Sequence, residues 1–209
     1  MVVGGIDEAG RGALLGPLVI AGVSLEEGAA SYLRSLGVRD SKKVSPEKRE
    51  RLYPEIVRMS KRIVLVEVPP AEIDRRIRAG CNLNLTETIK MAKVARSLEC
   101  DTVYVDAVDV NQERFQETLS RMVSGVSLVC EHRADEKYTV TGAASIVAKV
   151  FRDRRIRELS DRFGEIGSGY PSDARTMNFV WNYFIRNGEL PDIVRRSWKP
   201  ARAIMAYAE

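Results

Sequence analysis

Histidine is nearly missing from this chain. His132 is the only one in 209 residues, so histidine-rich zinc sites are excluded and a Ser-His-Asp triad would have to be built around that one ring. It reads as a strand-end histidine near acidic residues rather than as a metal ligand. Cysteine is scarce too: Cys81, Cys100 and Cys130 are odd in number, far apart and free of any CxxC pairing. That pattern suggests neither a disulfide framework nor a thiolate zinc site, and it fits a reducing cytosol. No apolar run approaches the roughly 18–20 residues needed to span a bilayer. Nor is there a basic-then-apolar leader, so a cytoplasmic protein without a membrane partner is expected. Also missing are GxxxxGK[ST], GxSxG, HExxH and a GxGxxG after a strand, which removes the common phosphate-cradle, nucleophile-elbow and zinc-protease readings.

What is present is globular: 44% of residues are hydrophobic and 30% charged, enough for one large domain or a domain with a small appendage. The 33 Lys and Arg against 29 Asp and Glu leave a net charge of +4. So mild an excess permits a polyanionic partner without requiring one. Runs rich in valine, isoleucine and leucine predict strands at Val2–Asp7, Leu18–Leu25, Ile63–Val68, Thr102–Asp106 and Val126–His132. Helical periodicity covers Pro46–Met59 behind Ser45 as N-cap, Leu85–Leu98 behind Asn84 with Glu87 at the capping-box position, Asn111–Met122 and Val140–Arg162. The order implies an α/β protein, a mixed sheet flanked by helices, followed by a helical C-terminal portion. Glycine and proline between Gly164 and Ser172 mark the loop between the two.

The acids fall in a pattern. Asp7 closes the first predicted strand, with Glu8 beside it; Asp106 closes "DTVYVD"; Asp135 follows the last strand by a few residues. Ligands of open α/β sheets collect outside strand C-terminal ends, so these carboxylates are candidates to converge. Two of them about 4 Å apart repel by roughly 4 kcal/mol at an effective dielectric near 20, and a hard divalent cation with oxygen ligands relieves that cost. The competing reading is that each aspartate is a turn former or helix cap. Asp7 and Glu8 also cannot both enter one site from a regular strand, because neighbours face opposite ways, so the strand is expected to end or bend there. Gly10 and Gly12 would make that bend easy, and Arg11 between them could meet phosphate.

Read in order, "GIDEAGRG", "RDSKK", "YVDAVDV", "EHRADEKY", "AASIVAKVFRD" and "GSGYPSD" resemble the motifs of type 2 ribonuclease H (ribonuclease HII), particularly its archaeal form. The resemblance runs from about residue 3 to about residue 200. It implies an RNase H-like fold with a five-stranded mixed sheet, a catalytic domain over 1–164 and a helical extension over 165–209. The implied activity is endonucleolytic cutting of RNA in RNA/DNA hybrids, and of single ribonucleotides embedded in duplex DNA (DNA-RNA-DNA/DNA), leaving 5′-phosphate and 3′-hydroxyl ends. Two magnesium or manganese ions held by Asp7, Glu8, Asp106 and Asp135 would serve the reaction.

By the same resemblance, the backbone of Gly10, Arg11 and Gly12 would recognise the 2′-hydroxyl of the nucleotide preceding the cut. Tyr170 would pack against the sugar at an RNA-to-DNA junction; otherwise it is a loop tyrosine anchoring the C-terminal helices. Ser41, Lys42 and Lys43 would contact the substrate backbone. Lys149 and Arg152 would approach phosphates, unless their helical spacing describes an ordinary solvated face. Ala13, where the family commonly has proline, Arg133 and Gly142 depart from the usual pattern without removing an acid. A different class, a catalytically silent hybrid-binding module, would gain by losing negative charge from its groove. The tail "SWKPARAIMAYAE" has no glutamine-led motif with paired aromatics, so a sliding-clamp partner is unsupported, and a monomer is expected.

Overall fold

The computed structural model describes residues 1–38 and 44–207. Ser41, Lys42 and Lys43 lie outside them. Five strands form one mixed sheet: β1 (Val2–Ala9), β2 (Leu18–Glu26), β3 (Arg62–Val68), β4 (Thr102–Asp106) and β5 (Ser127–Glu131), in the order β3-β2-β1-β4-β5. β1 runs antiparallel to β2, whereas β1–β4 and β4–β5 are parallel. The parallel pairs require crossovers, and these are supplied by α1 (Glu27–Ser35), α2 (Pro46–Met59), α3 (Pro70–Arg78) and α4 (Leu83–Ser97) before β4, and by α5 (Gln112–Met122) before β5. α6 (Ala134–Lys137), α7 (Thr139–Phe163), α8 (Ala174–Asn187) and α9 (Lys199–Ala206) complete the described chain.

Every predicted strand and helix has its counterpart, with local chemistry at the ends. Ser45 Oγ accepts the Lys48 N–H and caps α2. Asn111 Oδ1 accepts the Arg114 N–H and caps α5. α4 is the exception, because it begins at Leu83 rather than after a capping Asn84. Asn84 instead donates its amide to Asp109, and Glu87 is buried. α1, α3 and the single turn of α6 were not expected, since short helices carry too few periods to show a stripe.

The described residues divide into two compact units. The first comprises 1–9, 19–66 and 84–150, less the undescribed residues. Its core is Ile6 and Ile20 from the sheet with Met91 and Val94 from α4, Leu98 just after it, and Phe115 and Leu119 from α5. The second comprises 10–18, 67–83 and 151–209, with Leu14, Leu15, Ile156, Ile166, Val180, Phe184, Ile193 and Ile204 at its centre. Among the described residues no helix is long and apolar enough to cross a membrane.

β1 has two working faces. A Cβ placed on Gly4 would meet Cys100, Leu98 and Val103 side chains, while one on Gly5 would lie 2.4 Å from the backbone of Val140 and Thr141 at the start of α7. Glycine at residue 5 therefore lets α7 lie directly on the strand. Thr141 Oγ1 secures that approach by donating to the Tyr104 carbonyl of β4.

Candidate active site

The close approach at Gly5 determines what happens at Asp7. Residues 5 and 7 share one face of the strand, about 6.8 Å apart, and four residues of helix advance about 6 Å. Thr141 over Gly5 thus brings Ser145 to Asp7. Asp7 is 4% exposed, and burial first, then the Asp106 carboxylate, push its pKa up to about 7. The Lys149 ammonium, a hydrogen bond from Ser145 and the Glu8 N–H at 2.7 Å act the other way. Lys149 in turn donates to Ser145 Oγ at 2.7 Å, so a cation and a hydroxyl one helical turn apart both serve the same carboxylate.

Asp106, at the end of β4, accepts the Ala134 N–H at 3.0 Å. The next residue, Asp135, is 1% exposed and follows Arg133, whose left-handed backbone (φ 59°) redirects the chain after β5 into α6. The structure thus couples Asp7 to Asp106 and sets Asp135 next to the residue that binds Asp106. Pairing of β1 with β2 continues through Ala9, so the strand does not stop at Asp7. Strand alternation then sends Glu8 to the face opposite Asp7. Among the described residues no three His, Cys, Asp or Glu side chains are close enough to hold one ion. The donor chemistry nonetheless suits magnesium or manganese: oxygen ligands only, with a buried carboxylate that resists ionisation beside another carboxylate and would be relieved by a dication.

The glycine-rich turn belongs to the second unit. Gly10 has φ +88°, and a Cβ there would lie 2.4 Å from Arg152 Nε and 2.8 Å from the Pro17 carbonyl; around Gly12 there is open space. The Ala13 N–H closes the turn onto the Gly10 carbonyl, a bond that proline at 13 could not make. Leu14 and Leu15 N–H groups both donate to the Gly169 carbonyl, joining this turn to the "GSGYPSD" loop. That loop is held by Asp173, which accepts the Ser168 N–H and caps α8 through the Arg175 N–H. Thr176 accepts the Gly169 N–H and donates to Ile166.

Arg152 is 3% exposed, so it lies on no solvated face. Its guanidinium carbon sits 4.5 Å from the centre of the Tyr170 ring, and it makes long contacts to the Leu15 and Ser168 carbonyls. A residue with helical spacing on a charged helix was legible; its burial under an aromatic ring was not. Arg152 is a support of the tyrosine. The environment of Gly10 makes a sharp contrast with Gly12. Gly10→Ala is expected to cost about 2–3 kcal/mol from left-handed strain and overpacking, and Gly12→Ala less than about 0.5 kcal/mol. Urea midpoints of the two variants check this, and equal midpoints would contradict the geometry.

The family model described as ribonuclease HII matches residues 4–201. The chain belongs to the ribonuclease HII family. Ribonuclease HII of Cenarchaeum symbiosum (strain A) is 50% identical over 206 residues, covering 99% of both chains. The crystal structure of ribonuclease H2 from Pyrococcus horikoshii OT3 superposes with a TM-score of 0.92 at 40% identity, covering 99% of this chain and 98% of that one. The RNase HII in a PCNA:RNase HII complex from Archaeoglobus fulgidus gives 0.87 at 42% identity, over 95% and 96% of the two chains. The fold is accordingly RNase H-like. As a ribonuclease HII the protein is a divalent-metal-dependent endonuclease, a hydrolase that acts on the RNA of RNA/DNA hybrids.

Proposed function

We propose that this ribonuclease HII cuts RNA/DNA hybrids and also single ribonucleotides embedded in duplex DNA, leaving 5′-phosphate and 3′-hydroxyl ends, with Asp7, Glu8, Asp106 and Asp135 as the metal-binding set. The observation that carries this reading is the placement of Asp7, buried and near enough to Asp106 that burial first, and then that carboxylate, push its pKa up to about 7. A carboxylate held in that state stores unfavourable charge that a dication and a phosphate-bound substrate relieve. Bound divalent ions would supply an activated water and charge neutralisation for the departing 3′-oxygen.

In this scheme Asp7 is the ligand common to two ions, Glu8 and Asp106 complete the shell, and Asp135 serves the attacking side. Glu8 enters through the family motif, its alternation in β1 being the weaker fit. Lys149 and the Ser145 hydroxyl it donates to each favour the charged form of Asp7 against the opposing effects of burial and Asp106. The Gly10–Gly12 backbone reads the 2′-hydroxyl, the group that separates RNA from DNA, and Tyr170, braced by Arg152, packs on the sugar. Ser41, Lys42 and Lys43 meet the backbone of the duplex. The catalytic part spans 1–164 with the helical extension at 165–209, and the working form is a monomer.

A 5′-labelled duplex carrying one ribonucleotide tests the proposal. Cleavage is expected in magnesium or manganese and not in EDTA, with products that a ligase joins without kinase treatment. The same duplex with a 2′-deoxynucleotide at that position should be left intact. Cleavage of the all-DNA duplex, or products ending in 3′-phosphate, would overturn it.

A further inference from the structure

Arg195, in the segment before α9, is fully buried although no motif in the sequence singles it out. Its Nη1 donates to the Arg11 carbonyl at 3.0 Å and its Nε to the Gly16 carbonyl at 3.1 Å. Its own N–H donates to the Leu14 carbonyl, Val194 forms a β-bridge with Leu15, and the Gly16 N–H donates to Ile193. Residues 193–195 therefore run along the glycine-rich turn as a backing strip. The strip is anchored in turn: Asp74 of α3 accepts the N–H groups of Arg196 and Ser197 at 2.8 and 3.0 Å, and the Arg195 guanidinium lies 5.0 Å from the centre of the Trp198 ring.

The peptide between Arg11 and Gly12 is planar and trans, so its carbonyl and its N–H point in opposite directions. With the Arg11 carbonyl drawn onto a buried guanidinium, the planar peptide turns the Gly12 N–H the opposite way, and Gly12 itself is exposed, with nothing within 4 Å of a Cβ placed on it. We infer that Arg195 is a positioning residue for ribose recognition: by fixing the Arg11 carbonyl it aims the Gly12 amide at the substrate's 2′-hydroxyl. The inference rests on the proposed reading of the glycine-rich turn and adds the residue that orients it. A neutral side chain could not hold two carbonyls with charge-assisted bonds, and lysine, a point charge without a planar fork, could not reach both with fixed direction.

Two measurements separate this inference from the reading beneath it. In ¹⁵N-labelled wild-type protein in EDTA, the Gly12 amide resonance is expected to shift with an RNA/DNA hybrid and not with the DNA duplex of the same sequence. If it shifts with neither, the glycine-rich turn does not read ribose and both statements fall. In Arg195→Lys, anisotropy titrations should show the ratio of hybrid to DNA-duplex affinity falling about tenfold, with a far-UV spectrum like that of the wild type. If the Gly12 shift is seen but the variant keeps its ratio within twofold, or loses both affinities in parallel, Arg195 is merely structural and only the inference is overturned. Should Arg195→Lys fail to fold, its guanidinium Nη–H resonance in the wild-type protein decides. A shift on adding hybrid but not DNA supports the coupling, and an unchanged signal refutes it.

Discussion

Asp7→Asn should lower hybrid cleavage by at least about 10³-fold and, in the same protein freed of metal, raise the melting temperature at pH 8. The first effect follows from the loss of the carboxylate assigned to both ions, because charge stabilisation of that kind is worth several kcal/mol at the transition state and about 4 kcal/mol is already 10³ in rate. Hybrid binding should stay within about tenfold, since only transition-state stabilisation is removed. The second effect follows from the sign of the pKa shift. Burial and Asp106 raise the Asp7 pKa from 3.8 to about 7 in the folded chain. Between those values the folded state holds a proton that the unfolded state has released, so stability falls as pH rises through the window and levels off above it.

Three pKa units correspond to on the order of 4 kcal/mol. That is the upper bound on what the neutral amide recovers at pH 8, roughly 10 °C for a chain of this size. At pH 4 the carboxyl is protonated in the folded state, and the difference should vanish. Magnesium should reverse the order at pH 8, because the wild-type protein gains stability by binding the ion and the variant does not. Calorimetry in EDTA and in magnesium at the two pH values, beside a cleavage assay, checks the whole set. A wild-type protein that melts above Asp7→Asn in EDTA at pH 8 would show that the carboxylate is not held against its preference, and normal cleavage by the variant would remove Asp7 from the site.

Gly5→Ala is expected to be the most destabilising single methyl group in the first unit, at about 4 kcal/mol or more. The added Cβ would fall 2.4 Å from the Val140 carbonyl carbon and oxygen and from the Thr141 nitrogen. These are backbone atoms and cannot rotate aside, so the start of α7 has to lift off β1. A drop of roughly 8–16 °C in melting temperature follows. Because Ser145 and Lys149 ride on the same helix, the variant should also lose cleavage activity even though no acid has changed. Gly28→Ala is the control. Gly28 lies in α1, and a Cβ placed there would have nothing within 4 Å, so alanine there should add about 0.5–1 kcal/mol by propensity. Similar melting temperatures for the two variants would mean that α7 does not rest on the strand through residue 5.

Much of this protein is readable along one dimension. Strands β1, β2, β3, β4 and β5 announce themselves by valine and isoleucine, and α2, α5 and α7 by periodicity and caps, because those signals arise between residues a few positions apart. The candidate acids were legible as strand-end carboxylates and as family motifs. Of the two aspartates in "YVDAVDV", strand end and motif single out Asp106, and the fold gives the two different surroundings: Asp106 accepts the Ala134 N–H and acts on Asp7, whereas Asp109 engages Arg114, Asn84 and Asn111. Asn84 looked like a cap because its neighbours suit one, and the tertiary partner Asp109 overrode that local preference.

Composition, pattern and motif by themselves determined the mixed α/β sheet, the helical ending and the likeness to ribonuclease HII, and they supplied the acids and the glycine-rich turn proposed for its site. Only the folded chain decided that Asp7 is held half-reluctant to ionise, that Ser145 and Lys149 attend it, that Arg152 lies beneath Tyr170, and that Arg195 grips the Arg11 carbonyl. The reason is the same in each case: burial, Coulomb coupling and hydrogen-bond direction depend on distances between groups that are up to 184 positions apart in the chain, and no local pattern encodes a distance.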